Sequence, residues 1–369
     1  MQAPPFPRAD LPTPALVLDR AALERNIARM AVFAAARGLA LRPHAKTHRS
    51  ADIGRLQVAA GAVGLCCAKL GEAEALAAEG LANLHLTSPV VTPDGIARLV
   101  ALNARCEGLS VVADHPENVR ALAARAGSGR PLAVLVDIDP GIHRTGVASP
   151  EAAVALAAEI AAADNLALGG VQYYCGTQQH IQSFAERRAA IADRTDYLRT
   201  VLDALRAAGH AIPVVTGGGT GSFLIDAELG VLTELQAGSY LFLDREYGDC
   251  ELAVGDAPVF EPALFVDATV ISANHPGMVT VDAGLKALAS DAGPPVVAGG
   301  APAGSRYVFM GDEHGAVVSE EAVLPELGAR VTLQPGHCDP TVNLHDAYWV
   351  IVDDQVVDCW PVTARGRSA

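Results

Sequence analysis

Eight short apolar runs, separated by amphipathic stretches, constrain this chain more than any single motif does. They are LALRPH (39–44), VGLCCA (63–68), NLHLTS (83–88), LSVVAD (109–114), LAVLVDID (132–139), LALGGVQYY (166–174), IPVVTGGG (212–219) and LTELQAGSY (232–240). Between most of them lie Ala-, Leu-, Glu- and Arg-rich segments such as PEAAVALAAEIAAA, with apolar residues at the helical period. This alternation predicts an α/β fold, a (β/α)8 TIM barrel. An open doubly wound sheet is the alternative, but the Gly-rich turn expected after its first strand is missing. After residue 250 the texture changes to short strand-like runs (ALFVDATVIS, GMVTVDAG, RYVFMG, ARVTLQPG, AYWVIVDDQVVDCWPV) with turns such as NHPG and APAG between them. That pattern predicts a C-terminal all-β domain. The expected boundaries are 20–245 for the barrel and 246–369 for the β domain. Residues 1–19 could join the β domain or close the barrel.

Composition excludes several partners. A formal net charge of −15 argues against nucleic acid. No apolar run approaches the roughly 18 residues of a membrane span. The seven cysteines show no framework spacing, so a reduced, cytoplasmic protein is the simplest expectation. Among 27 basic residues the only lysines are Lys46, Lys69 and Lys286. Where Arg so widely replaces Lys, a surviving lysine points to a task Arg cannot perform, such as forming a Schiff base.

In such barrels chemistry gathers at the C-terminal ends of the strands. Lys46 lies just past the first run, between His44 and His48. The seventh run leads into TGGGTGS (216–222) and the eighth into AGSY (237–240), where barrels of this type commonly bind phosphate. An amine at strand 1 beside a phosphate cradle at strands 7–8 suits pyridoxal 5′-phosphate. Arg144, after the Pro-Gly turn of DIDPGIHRTG, is a candidate to pin the cofactor's phenolate or a substrate carboxylate; a surface pairing with Asp137 or Asp139 is its alternative. Tyr173 and Tyr174 alternate, so one of them faces the ring, and Tyr174 is the candidate. His180 follows a Gly turn and could act as a general base.

The stretch QPGHCDPTVNLHD (334–346) concentrates further ligands. On an extended segment His337 and Asp339 would share one side while Cys338 faces away. An imidazole with a carboxylate suits Mn²⁺, Mg²⁺ or another borderline divalent cation, whereas imidazole with thiolate would favour Zn²⁺. A polar turn with capping side chains is the plainer alternative.

Together RPHAKTH, GLCCAK, QYYCGTQQH, TGGGTGS, TELQAGSY, DAGLKALASD, GDEHG and HCDPTVNLHD resemble the D-threonine aldolases, in order along essentially the whole chain. These are metal-activated, pyridoxal-phosphate-dependent enzymes with the alanine-racemase type of fold. The resemblance implies that Lys46 carries the cofactor as a Schiff base. Gly218, Gly219 and Thr220, with Ser239 and Tyr240, would hold its phosphate, and Arg144 would lie beside the ring. His180 would be the base acting on the substrate hydroxyl. His337 and Asp339 would bind the divalent cation, Mn²⁺ first, with Mg²⁺, Co²⁺ or Zn²⁺ as alternatives. It also implies a homodimer acting on a β-hydroxy-D-amino acid, with D-threonine cleaved to glycine and acetaldehyde. Asp312, Glu313 and His314 could approach a site across that dimer. D-3-hydroxyaspartate aldolases share the pattern. The related D-serine dehydratases share the frame but carry His-x-Cys with Zn²⁺. One departure is Cys175, where a histidine is more familiar; it would bear on side-chain specificity.

Overall fold

The computed structural model describes residues 3–252, 254–255, 259–320 and 323–369. Eight parallel strands form the first sheet: β1 (Ala40–Leu41), β2 (Leu65–Cys67), β3 (Leu84–Leu86), β4 (Ser110–Ala113), β5 (Leu132–Ile138), β6 (Leu166–Tyr173), β7 (Val215–Gly217) and β8 (Glu234–Leu235). They neighbour one another in sequence order, and β1 also pairs with β8. A parallel bridge between His44, beyond β1, and Cys66 of β2 completes the ring. The fold is therefore the eight-stranded α/β barrel that the rhythm predicts. Helices cover its outer face, so both faces of the strands are largely buried, as in the Leu132–Ile138 run.

Local signals set the helix starts. Asp19 Oδ1 accepts the Ala22 N–H at 2.9 Å and caps the helix Arg20–Ala36. Ser149 caps Pro150–Ala161, where proline occupies the first turn, and Ser183 caps Phe184–Ala207.

The second sheet has ten strands, nearly all antiparallel. Its long strand Leu264–His275 pairs with Met278–Val281, with Arg330–Gln334 and with Ala15–Asp19. Ala15–Asp19 lies between that strand and Ala347–Val352, so the N-terminal segment belongs to this sheet. A buried aspartate ties the segment down. Asp267, with no exposed surface, receives Arg8 Nε at 2.8 Å, Arg8 Nη2 at 2.7 Å, Arg330 Nη1 at 3.1 Å and Thr332 Oγ1 at 2.9 Å. Both its oxygens are satisfied, the condition under which a buried charge is tolerated. One continuous core runs from Leu16 and the barrel interior to Trp360, so the two sheets are packed as one body. Among the described residues, no helix is long and apolar enough to cross a membrane.

Candidate active site

A cavity of about 200 Å³ opens at the C-terminal ends of the barrel strands. Lys46 reaches it from a single helical turn, Ala45–Thr47, that follows β1 directly. Beside it, His44 is held by Thr87 Oγ1 at 3.1 Å. Opposite lie the loops after β7 and β8. A Cβ on Gly219 would stand 2.5 Å from Gln179 Oε1, and one on Gly238 would stand 2.7 Å from Thr47 Oγ1. Neither position admits a side chain, and the backbone there forms the cavity wall. Gly218, at φ +71°, makes the left-handed turn that opens the loop.

Side chains behind the loop set its shape. Ser222 Oγ accepts the Gly219 N–H at 3.0 Å and donates to Asp226 Oδ2 at 2.6 Å. The fully buried Gln179 accepts the Gly221 N–H at 3.0 Å and donates to Ser222 Oγ at 2.9 Å. Burial pushes the Asp226 carboxyl up to about 7. Ser239 lines the cavity with Gly218, Gly219 and Thr220, but Tyr240 does not. Tyr240 is fully buried: its N–H donates to Thr220 Oγ1 and its hydroxyl accepts from Gln57.

Arg144 also lines the cavity, on a loop latched by two carboxylates. Asp139 Oδ1 accepts the N–H groups of Gly141, Ile142 and His143 at 2.8–3.0 Å, and Asp114 accepts that of Gly146 at 2.9 Å. Arg144 makes no ion pair among the described residues; its guanidinium lies 5.5 Å over the Tyr174 ring. Tyr174 faces the cavity, whereas Tyr173 turns its hydroxyl to Arg194 O.

The β domain supplies the other half. Asp339 Oδ2 is 3.1 Å from Lys46 Nζ, while its Oδ1 is buried without a full hydrogen bond among the described residues, the Thr47 hydroxyl lying near the carboxylate. Burial alone would raise this carboxyl, but the Lys46 and His337 charges hold it at about 2. Reciprocally, Asp339 drives the Lys46 amine above its usual range, against the desolvation that would lower it.

The segment around Asp339 differs from the extended geometry that the alternation argument assumed. His337 is extended, but Cys338–Val342 is a helix. Asp339 and Pro340 stand in its first turn, an acidic residue and a proline where helix starts favour both, and Asp244 Oδ2 accepts the Cys338 N–H at 2.9 Å. Cys338 is removed from the site by burial in the core, and that burial lifts its thiol well above the usual range.

A turn at the end of the barrel joins the two halves. Arg245 and Glu246 donate their N–H groups to Pro335 O and Gly336 O at 3.2 and 3.1 Å. Glu246 Oε1 is 3.5 Å from His180 Nδ1, and the Tyr247 ring lies 4.4 Å from the imidazole. Burial lowers the pKa of His180, against the Glu246 charge that raises it, which favours the neutral imidazole. His337 Nδ1 is 2.6 Å from Asp291 Oδ2; although burial opposes it, Asp339 and Asp291 together hold His337 above its ordinary pKa. Asp244, Glu246, Tyr247, Gln179 and Asp291 were not singled out by the sequence reading. The turn 244–247 falls on the expected domain boundary and carries no motif. Asp291 ends DAGLKALASD, a block noted there without a role for its last two residues.

The donor chemistry can be tested against the two expected groups. The cavity, the side-chain-free glycine wall and the adjoining amine fit pyridoxal phosphate. For a divalent cation, the incompletely bonded Asp339 carboxylate and the imidazole of His337 fit a two-residue donor set. Among the described residues no group of three or more His, Cys, Asp or Glu could hold a metal.

Comparison with known proteins agrees along the whole chain. The family model of the alanine racemase N-terminal domain matches residues 18–246, and that of a serine dehydratase domain matches 263–351. A 3-hydroxy-D-aspartate aldolase of Paracoccus denitrificans (strain Pd 1222) is 41% identical over 99% of this chain and 95% of its own length. A D-threonine aldolase of Arthrobacter sp. is also 41% identical, over 99% and 96%. The crystal structure of D-threonine aldolase from Filomicrobium marinum superposes with a TM-score of 0.95 at 40% identity, covering 100% of both chains. The chain thus belongs to the alanine-racemase-fold family that contains the D-threonine and 3-hydroxy-D-aspartate aldolases.

Proposed function

We propose that this protein is a pyridoxal-phosphate- and divalent-metal-dependent lyase that cleaves β-hydroxy-D-amino acids by retro-aldol reaction, with D-threonine giving glycine and acetaldehyde. The observation that carries this reading is the 3.1 Å contact of Lys46 with Asp339 at the cavity: an amine-bearing barrel end meets a carboxylate–imidazole pair from the other domain. Lys46 would hold the cofactor aldehyde. Gly218, Thr220 and Ser239, which line the cavity, would take its phosphate, with Gly219 contributing a wall free of side chain and Tyr240 acting through Thr220. Arg144, unpaired beside Tyr174, is available to an anionic oxygen of the cofactor or substrate. Pyridoxal phosphate supplies the electron sink for the pair left at Cα when Cα–Cβ breaks. A divalent cation, Mn²⁺ first, would supply a Lewis acid for the β-hydroxyl. His337 and Asp339 would hold it, and His180, lowered in pKa by burial, takes the hydroxyl proton. Tyr247 closes one side of that imidazole to water. By family resemblance the working unit is a cytoplasmic homodimer.

Substrate choice within the family is decided by a product assay on D-threonine, D-3-hydroxyaspartate and D-serine, with Mn²⁺ and with EDTA. Glycine plus an aldehyde in the presence of Mn²⁺ is the expected result. Pyruvate and ammonia from D-serine would instead assign a dehydratase, the activity named for a Delftia relative 32% identical over 95% of this chain and 97% of its own length, D-threo-3-hydroxyaspartate dehydratase. Full activity after EDTA treatment would remove the metal from the mechanism.

A further inference from the structure

Each half of the site contributes a histidine whose Nδ1 faces a carboxylate, and the two pairs differ. His180 Nδ1 is 3.5 Å from Glu246, a loose approach, while His337 Nδ1 is 2.6 Å from Asp291 Oδ2, a full hydrogen bond. An ionised carboxylate only accepts, so Nδ1 of His337 carries a hydrogen and Nε2 is the nitrogen that can give up its proton to a cation. Ligating histidines are commonly fixed this way, by a carboxylate on the nitrogen that does not touch the metal.

Asp291 has little other role. Its side chain is 53% exposed, and His337 is its one hydrogen-bond or ion-pair partner among the described residues. The segment bearing it is nevertheless well held. Ala289 N–H donates to Thr341 Oγ1 at 3.1 Å, and Thr341 Oγ1 donates to His337 O at 2.8 Å, so a buried threonine ties it to the His337 helix. Gly293 O lies 2.7 Å from where a Cβ of Gly336 would stand, and Arg245 bonds Ala292 O. An exposed carboxylate presented so firmly to one imidazole fits a positioning task better than a stabilising one.

We infer that Asp291 is the positioning residue of the metal site, fixing the tautomer and orientation of His337 so that Nε2 is the nitrogen offered to the divalent cation. This rests on the proposed role of His337 and Asp339 as ligands. The experiment is Mn²⁺ binding to the cofactor-loaded full-length protein, read as free Mn²⁺ by electron paramagnetic resonance, in wild type, Asp291→Ala, Asp291→Asn and His337→Ala. Asp291→Ala should weaken Mn²⁺ binding about 10- to 100-fold, with Asp291→Asn between it and wild type. Melting temperature and cofactor absorbance should stay at wild-type values. Unchanged affinity in Asp291→Ala overturns the inference. Tighter binding does so too, because it would mean that Nδ1 is the ligating nitrogen and Asp291 its competitor. A fall in melting temperature matching the affinity loss would make Asp291 a structural residue. Wild-type Mn²⁺ affinity in His337→Ala would sink the ligand assignment itself, a failure distinct from that of Asp291.

Discussion

Two aspartates of the β domain, one inside its sheet and one at the barrel mouth, are withdrawn from water in opposite ways. At the N-terminal lock of the second sheet, Asp267 has both oxygens filled by two arginines and a threonine. At the barrel mouth, Asp339 has one oxygen on Lys46 and the other without a full hydrogen bond among the described residues. Leaving a buried acceptor unmade costs about 1–3 kcal/mol, and more for a charged group. A fold that satisfies Asp267 so fully and leaves Asp339 incomplete separates a structural carboxylate from one kept ready for a ligand.

Four measurements would break or sharpen that contrast. Lys46→Ala carries the largest expected effect: loss of the cofactor's visible absorbance and of all turnover. A persisting band would mean that another lysine holds the cofactor and that Asp339 faces something else. Next, Asp339→Ala should lower kcat/KM at least about 100-fold, the several kcal/mol expected of a Lewis-acid site, with little change in denaturation midpoint. Asp267→Ala should do the reverse. It leaves two guanidinium groups without their partner, and because both arginines still reach water the loss falls at the low end of the range for a broken buried pair, about 3 kcal/mol in a urea titration. The specific activity of the folded fraction should stay at wild type, and a kcat loss as large as that of Asp339→Ala would erase the distinction.

The smallest effect concerns pH. Asp226, behind the glycine loop, has its carboxyl raised by burial to about 7 from a usual 3.8. An acid with a raised folded pKa binds more protons folded than unfolded, so its contribution is fully present below about pH 4. That contribution is lost as pH rises to about 7 and is flat beyond. Asp226→Asn should remove this slope, so its melting temperature should gain on wild type between pH 4 and 7. Parallel curves would show that Asp226 ionises freely and resembles neither of the other two.

The barrel was legible because its signal is periodic: eight buried runs alternate with amphipathic helices, and Lys46, Arg144 and Tyr174 sit where strand ends must converge. Lysine scarcity singled out Lys46 without any geometry. The segment 337–342 was misread because period-2 reasoning was applied across Asp-Pro, itself a helix-start signal. Cys338 is excluded from the site for a different reason than the alternation gave. Glu246, Tyr247 and Asp291 were not legible at all. Glu246 and Tyr247 matter through the His180 they meet from the barrel, and Asp291 through His337 within the β domain; neither a charged turn nor an exposed aspartate advertises a distant partner.

The placement of Ala15–Asp19 has a consequence for how the protein is made. That strand sits between Leu264–His275 and Ala347–Val352, so on a growing chain at least one of its edges stays unpaired until both have been synthesised. The barrel strands are all translated by residue 235, and the cavity wall at Gly238 and Ser239 directly after them. His337, Asp339 and Asp291 arrive only with the segments that shelter the waiting strand. On the proposed assignment of the site, chemistry would therefore be withheld from a nascent chain until the late residues that complete the reactive centre also complete the fold.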